Sequence, residues 1–283
     1  GMLPKVDASI QALNDVLTKA VVAGKKPKES ILTHWSENLA ENNGRIAIDL
    51  SVYQNAGATI VQQLAIGLTL FNEYLGSVET TAINQIKGCT IQVAVGSVYF
   101  LEVAKLRALK ALFPIDAKEY GLEDLPIYIQ AQSTLINKSI QDEHNNMLRQ
   151  TTEQMAAIIG GADAIIAEGY NLTSNDTNNA QRWSRNISYL LRSESYFDQV
   201  DDPGKVSYFI EHLTSLLKVN SWESFLKFEE AGGFISIVNQ GILEEAISQS
   251  AHQLKTAFEE QKMVLVGVNK YQKTTTEDSK QKV

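Results

Sequence analysis

Apolar and polar residues alternate from Arg45 to Ser51, where RIAIDLS places Ile46, Ile48 and Leu50 at every second position. A period of two marks a strand with one buried face. Directly after it, NAGATIVQQLAIGLTLFNEYL repeats Ile60, Val61, Leu64, Ala65, Leu68 and Leu75 at helical spacing, with Asn55 placed to cap the helix. The pattern recurs. TIQVAVG from Thr90 leads into FLEVAKLRALKALF, IYIQAQS from Ile127 leads into NNMLRQTTEQMAAIIG, and ADAIIAEG from Ala162 supplies a fourth strand. Strand starts about 35 to 45 residues apart leave room for one returning helix each, which predicts parallel strands in right-handed crossovers.

The segments on either side of these units read as helical. Before them, ASIQALNDVLTKAVVAG and SILTHWSENLAEN predict helices. After them, NLTSNDTNNA from Asn171 to Ala180 predicts a loop, being rich in turn formers and poor in apolar residues. Three helices follow, QRWSRNISYLLRSESYF, then SYFIEHLTSLLKVNSWESFLKFEEAGG, then GILEEAISQSAHQLKTAFEEQKM. The glycine pairs Gly160–Gly161 and Gly232–Gly233 read as helix stops. The expected organisation is N-terminal helices over 1–44, four βα units over 45–170, a helical remainder over 171–271 and a disordered polar tail over 272–283. The fold class is α/β. Four strands do not close an eight-stranded barrel, so the sheet edges must be covered by the flanking helices, by a second chain, or by a remainder from which this piece was cut.

Composition narrows the function classes. In 283 residues, 25 Lys plus Arg stand against 33 Asp plus Glu, for a net charge of −8, and 44% of residues are hydrophobic. These values belong to an ordinary globular protein of one large or two small domains. With a pI of about 5.1 and no basic run of five or more residues, nucleic-acid binding is not expected. No stretch approaches the roughly 18 to 20 apolar residues that span a bilayer, so no membrane association is expected. Lys5 and Asp7 stand where a signal peptide needs an apolar core, and Gly1 before Met2 reads as the scar of a cleaved tag. The expected location is cytoplasmic, where the Asn-x-Ser/Thr triplets at Asn137, Asn171 and Asn186 carry no meaning.

Motif chemistry is sparse. The single cysteine, Cys89, rules out an internal disulfide and reads as a packing residue. His34, His144, His212 and His252 lack partners at metal-ligand spacing, and no GxSxG, P-loop or helix-preceding GxGxxG occurs. Asp201 and Asp202 before Pro203 read as a turn, because no spacing brings an opposing acid for catalysis.

Taken in order, NAGATIVQQLA (55–65), FLEVAKLRALKALF (100–113), NNMLRQTTEQMAA (145–157), SRN (184–186), ESYFDQVDDP (194–203), SYFIEHLT (207–214), EEAGG (229–233) and GVNKY (267–271) resemble the acyl-CoA-binding barrel of methylmalonyl-CoA mutases. The resemblance runs from about Arg45 to Tyr271. It implies a (β/α)8 TIM barrel of which these four strands are the C-terminal half, and a family activity that depends on adenosylcobalamin. A shared fold does not by itself carry the activity.

The family's working residues are nearly all replaced. Where catalytic members have SGYHxQEAGA, this chain has DLSVYQNAGA, with Ser51 and Val52 in place of the Tyr and His. Valine cannot donate a hydrogen bond or a proton. At the family's PRLSFF the aligned GCTIQV puts Gly88 and Thr90 where an Arg and a Ser would help hold coenzyme A. Gln130 replaces a His, whereas Gln132, Gln141, Asp142, Asn145 and Asn146 match. At the family's NSLDE the aligned AEGYN gives Ala167 and Asn171 for the Asn and Glu. Retained positions are those that build the barrel: Gly57, the Glu102 to Arg107 helix face, the Asn145 to Glu153 helix start, Arg185, Glu194 and Pro203. The cobalt-ligating DxHxxG is absent.

This split resembles the small, non-catalytic subunit of heterodimeric mutases. It implies no catalytic residues, no metal and no cofactor on this chain, adenosylcobalamin on a catalytic partner subunit, and apolar helix faces that form a large permanent interface. The isolated piece is a candidate homodimer. A second reading is a barrel-derived enzyme or binding protein with its own small-molecule ligand, to which Gln54 and Gln132 near the strand ends would present amides. Alternatively, the two glutamines satisfy buried neighbours.

Overall fold

The computed structural model describes residues 44–78, 83–140, 142–171 and 177–272. The expected N-terminal helices and polar tail therefore lie outside the described residues, apart from Gly44 and Gln272, as do Gln141 and the middle of the 171–180 segment. Four strands, β1 (Arg45–Asp49), β2 (Gly88–Val95), β3 (Ile127–Ser133) and β4 (Ala164–Ile166), form one sheet in the order β1-β2-β3-β4. All neighbouring pairs are parallel. Helices α1 (Ser51–Asn55) and α2 (Ile60–Ser77) follow β1, α3 (Tyr99–Glu119) follows β2, α4 (Glu143–Ile159) follows β3 and α5 (Thr177–Ser193) follows β4. Then come α6 (Tyr208–Glu230), α7 (Gly233–Asn239) and α8 (Ile242–Glu259). Parallel strands in sequential order, each followed by a helix, make this α/β structure a partial (β/α)8 barrel.

Strand register explains the alternation in the sequence. Ile46 pairs with Cys89 and Cys89 with Ile127, while Ile48, Ile91 and Ile129 form the next row on that face. These residues join the buried core. The opposite face carries Asp49, Gln92 and Gln130 in one row and Ala47, Thr90 and Tyr128 in another. In a closed barrel this polar face points inward. The Arg45 guanidinium lies over the Tyr128 ring at 5.2 Å.

Helices α2 and α3 pack on the apolar face of the sheet and α6 packs across both. Phe71 of α2 meets Phe113 of α3 with ring centroids 5.2 Å apart, both fully buried. Burying one such side chain contributes about 1.5–3 kcal/mol. A side-chain carbon on Gly67 would stand 2.9 Å from Leu50 Cδ1 and 3.2 Å from Phe113 Cζ, so glycine there lets α2 approach the sheet. Among the described residues no helix is long and apolar enough to cross a membrane.

Three expectations are corrected. Asn55 does not cap α2. The chain turns at Gly57, whose φ of +101° suits glycine, and Thr59 becomes the cap, accepting from Gln62 N at 3.2 Å while Gln62 Oε1 accepts from Thr59 N at 2.7 Å. The freed Asn55 Oδ1 accepts from Thr134 Oγ1 and Leu135 N, tying α1 to the loop after β3. Second, α3 does not end at Phe113. It runs through Pro114 to Glu119, because the carbonyl that proline strands belongs to exposed Lys110, while Asp116 and Ala117 are buried beyond it. Third, residues 177–180 are helical rather than loop, since Ala180, Ser184, Ile187 and Leu191 form one buried stripe that starts α5 early. The glycine pair at 232–233 separates α6 from the short α7, a helix that the sequence pattern does not reveal.

Candidate functional site

In parallel α/β barrels, sites gather at the C-terminal ends of the strands. Leaving β1, the chain enters α1 at once, and Asp49 fixes this exit by accepting from Ser51 N at 2.8 Å and from Ser51 Oγ at 2.6 Å. The Ser51 hydroxyl is thereby spent on its neighbour. Val52 is half-buried and packs against the core. Asn171 lies just beyond β4, also half-buried. Gln130 and Thr90 sit on the polar sheet face, and Gln132 accepts from Gln92 Nε2 at 3.1 Å. Gly88 opens β2, at the other end of the sheet. The seven positions that the resemblance marks as replaced are thus spread over the sheet: Ser51, Val52, Ala167 and Asn171 at or beyond one end, Gln130 and Thr90 on its face, Gly88 at the far end.

What the fold does bring together at the strand ends is a cleft of about 490 Å³. Its walls come from the α1–α2 turn, the β2–α3 loop, the loop after β3, α8 and Met263. On its floor lies a buried polar network. Lys105 Nζ donates to Ala94 O at 2.6 Å and Gln54 Oε1 at 2.8 Å, approaches Gln63 Oε1 at 3.5 Å, and pairs with Glu102 Oε2 at 2.5 Å. The Lys105 and Glu102 side chains are only 1% and 5% exposed. Burial lowers the Lys105 ammonium from its ordinary value, and the Glu102 carboxylate opposes that shift. Gln54, a ligand candidate from the sequence, therefore holds this network together with one end of its amide.

A second network fastens the next loop. Lys138 Nζ reaches both carboxylate oxygens of Glu153 at 2.8 and 2.7 Å, and Asn137 Nδ2 donates to the same carboxylate at 2.6 Å. Asn146 brackets Ser139, accepting from its N–H and donating to its carbonyl, and also donates to Tyr170 O. Asn145 donates to Asp142, and Arg149 reaches Val266 O at 2.6 Å. Of the matched positions, Asp142, Asn145 and Asn146 thus bind loops to one another. Asp202, at the turn before Pro203, pairs with Arg107 at 2.5 Å, and Glu211 joins from α6 at 2.6 Å. Arg185, Glu194 and Pro203 are exposed.

Cys89 is fully buried, which pushes its thiol far above the usual range. His144, His212 and His252 lie exposed on α4, α6 and α8, and His34 lies outside the described residues. Among the described residues no group of three or more His, Cys, Asp or Glu side chains could hold a metal ion. Sequence reasoning missed Lys105, Gln63, Lys138 and Asn137. A signal existed for the first: Glu102 and Lys105 fall on the helix stripe of Leu109, Leu112 and Asp116, where a charge can be buried only if paired.

Known proteins supply the comparison. The methylmalonyl-CoA mutase family model matches residues 19–283. A methylmalonyl-CoA mutase small subunit from Porphyromonas gingivalis is 31% identical over 236 residues, covering 80% of this chain and 37% of that protein. A methylmalonyl-CoA mutase from Rhizobium meliloti is 30% identical over 282 residues, 94% of this chain and 39% of that protein. A large subunit from Streptomyces virginiae is 28% identical over 291 residues, 96% of this chain and 39% of that protein. The chain spans about two fifths of the length of these relatives. With a matched region that includes every strand and helix described above, the chain belongs to the methylmalonyl-CoA mutase family.

Proposed function

We propose that this chain is part of the small, non-catalytic subunit of a methylmalonyl-CoA mutase. It supports a catalytic subunit that interconverts methylmalonyl-CoA and succinyl-CoA, with adenosylcobalamin held on that partner. The carrying observation is the exit of β1, where Ser51 gives its hydroxyl to Asp49 and Val52 packs half-buried against the core. Neither position offers a free side-chain proton donor, since the Ser51 hydroxyl is taken by Asp49 and valine has none. The strand end described here does not favour a resident adenosylcobalamin, since Asn171 stands at the position of the family's glutamate. Retained residues instead serve the scaffold, as the Asn146 and Arg149 contacts illustrate.

Light scattering of the chain alone and mixed with the large subunit from the same genome tests this role. A one-to-one complex is expected. A chain that remains separate at micromolar concentrations of both would overturn the proposal. Val52→His, restoring the family residue, is expected to give no mutase turnover in the isolated chain supplied with adenosylcobalamin, because Ser51, Gly88, Gln130 and Asn171 remain changed. Turnover by that variant would show that the chain is catalytic in its own right.

A further inference from the structure

The cleft at the strand ends contains two polar atoms that the scaffold does not use. Gln54 and Glu102 are 6% and 4% exposed. Lys105 occupies Gln54 Oε1 and Glu102 Oε2, leaving Gln54 Nε2 and Glu102 Oε1 with no hydrogen-bond partner among the described residues. The amide cannot rotate to exchange its ends, because its oxygen must face the ammonium. Both free atoms border one spot. A side-chain carbon on Gly96 would stand 3.0 Å from Glu102 Oε1 and 3.1 Å from Gln54 Nε2. Gly96, Gln54 and Glu102 all line the cleft.

A fixed donor beside a fixed acceptor selects its ligand. A group offering a carbonyl to Gln54 and an N–H to Glu102 satisfies both at once, which is the edge of a primary carboxamide or a lactam. A carboxylate meets repulsion from Glu102, and an ammonium meets the Gln54 N–H and the Lys105 charge behind it. Around this pair the walls are apolar, with Ala58, Ile60, Val98, Leu101, Ile136 and Leu254. The volume of about 490 Å³ lies within the range of small-molecule sites, which combine apolar walls with few convergent polar groups.

We propose that this cleft binds a small uncharged molecule presenting a carboxamide or lactam edge on a flat apolar body, the carbonyl on Gln54 and the N–H on Glu102. The site is separate from the subunit role and stands or falls without it.

Benzamide is the probe, with benzoate and N,N-dimethylbenzamide as comparisons, titrated against the 283-residue chain by protein-observed NMR. Saturable benzamide binding is expected, with a dissociation constant on the order of millimolar for so small a ligand. Benzoate and the dimethyl amide, each lacking the N–H edge, should bind at least about tenfold more weakly. Gly96→Ala, which fills the spot between the two polar atoms, should abolish benzamide binding. Leu254→Trp narrows the cleft from α8 and keeps the test open if the first variant does not fold. Benzamide binding that survives a folded variant of either kind, benzoate binding as tight as that of benzamide, or no saturable benzamide binding would each overturn the proposal.

Discussion

Replacing Lys105 by Met is expected to destabilise the fold by about 3–5 kcal/mol, the usual cost of removing one partner from a buried ion pair. Methionine preserves the volume, so packing changes little. What is lost is the charge that makes Glu102 tolerable at 5% side-chain exposure, and the donor shared by Ala94 O and Gln54. Urea denaturation of the wild type and the variant measures the difference. A double variant, Glu102→Leu with Lys105→Met, should recover part of the loss, because no uncompensated carboxylate remains. A cost under about 1 kcal/mol for Lys105→Met would show that water reaches Glu102 and that the network is not dry.

The second large effect has the opposite sign. Asp116 is 4% exposed on α3, its Oδ2 lacks a hydrogen-bond partner among the described residues, and burial first, then Glu229 of α6 and Glu119, raise its pKa from 3.8 to about 7. A folded-state value above the unfolded one means that the folded chain binds the extra proton. Stability from this group is therefore complete below about pH 4 and is lost as pH rises toward 7. Each pKa unit corresponds to about 1.4 kcal/mol, so the loss is on the order of 4 kcal/mol at most. Asp116→Asn removes the titration while keeping the shape. At pH 8 it should stabilise the fold by roughly 2–4 kcal/mol, with little difference at pH 4. Denaturation curves at both pH values decide it, and a wild-type-to-variant difference that does not change with pH would refute the assignment.

Strand existence was legible because one face of each strand had to be apolar. Ile46, Ile48 and Leu50 alternate visibly, and all three are buried. The helix that follows was equally legible, but its start was not. Asn55 is a good capping residue in isolation, yet Gly57 turns the chain and hands that task to Thr59. Pro114 likewise signals a helix end that tertiary burial of Asp116 and Ala117 overrides. At the site, the resemblance supplies the expectation that Ser51 and Val52 stand in place of reactive residues, but not what they touch: Ser51 bonds Asp49 and Val52 packs half-buried against the core.

Period and spacing by themselves determined a parallel α/β arrangement of repeated strand–helix units, since a strand must hide one face and a parallel return must pass through a helix of sufficient length. Residue identity by itself also determined the family resemblance, now matched over residues 19–283. Only the tertiary structure decided which polar residues face one another. Lys105 meets Gln54 from 51 positions away, and Asn137 and Lys138 meet Glu153 across the β3–α4 loop. Such pairs are invisible in a linear pattern because burial makes a charge dependent on partners, and partners are set by distance in space.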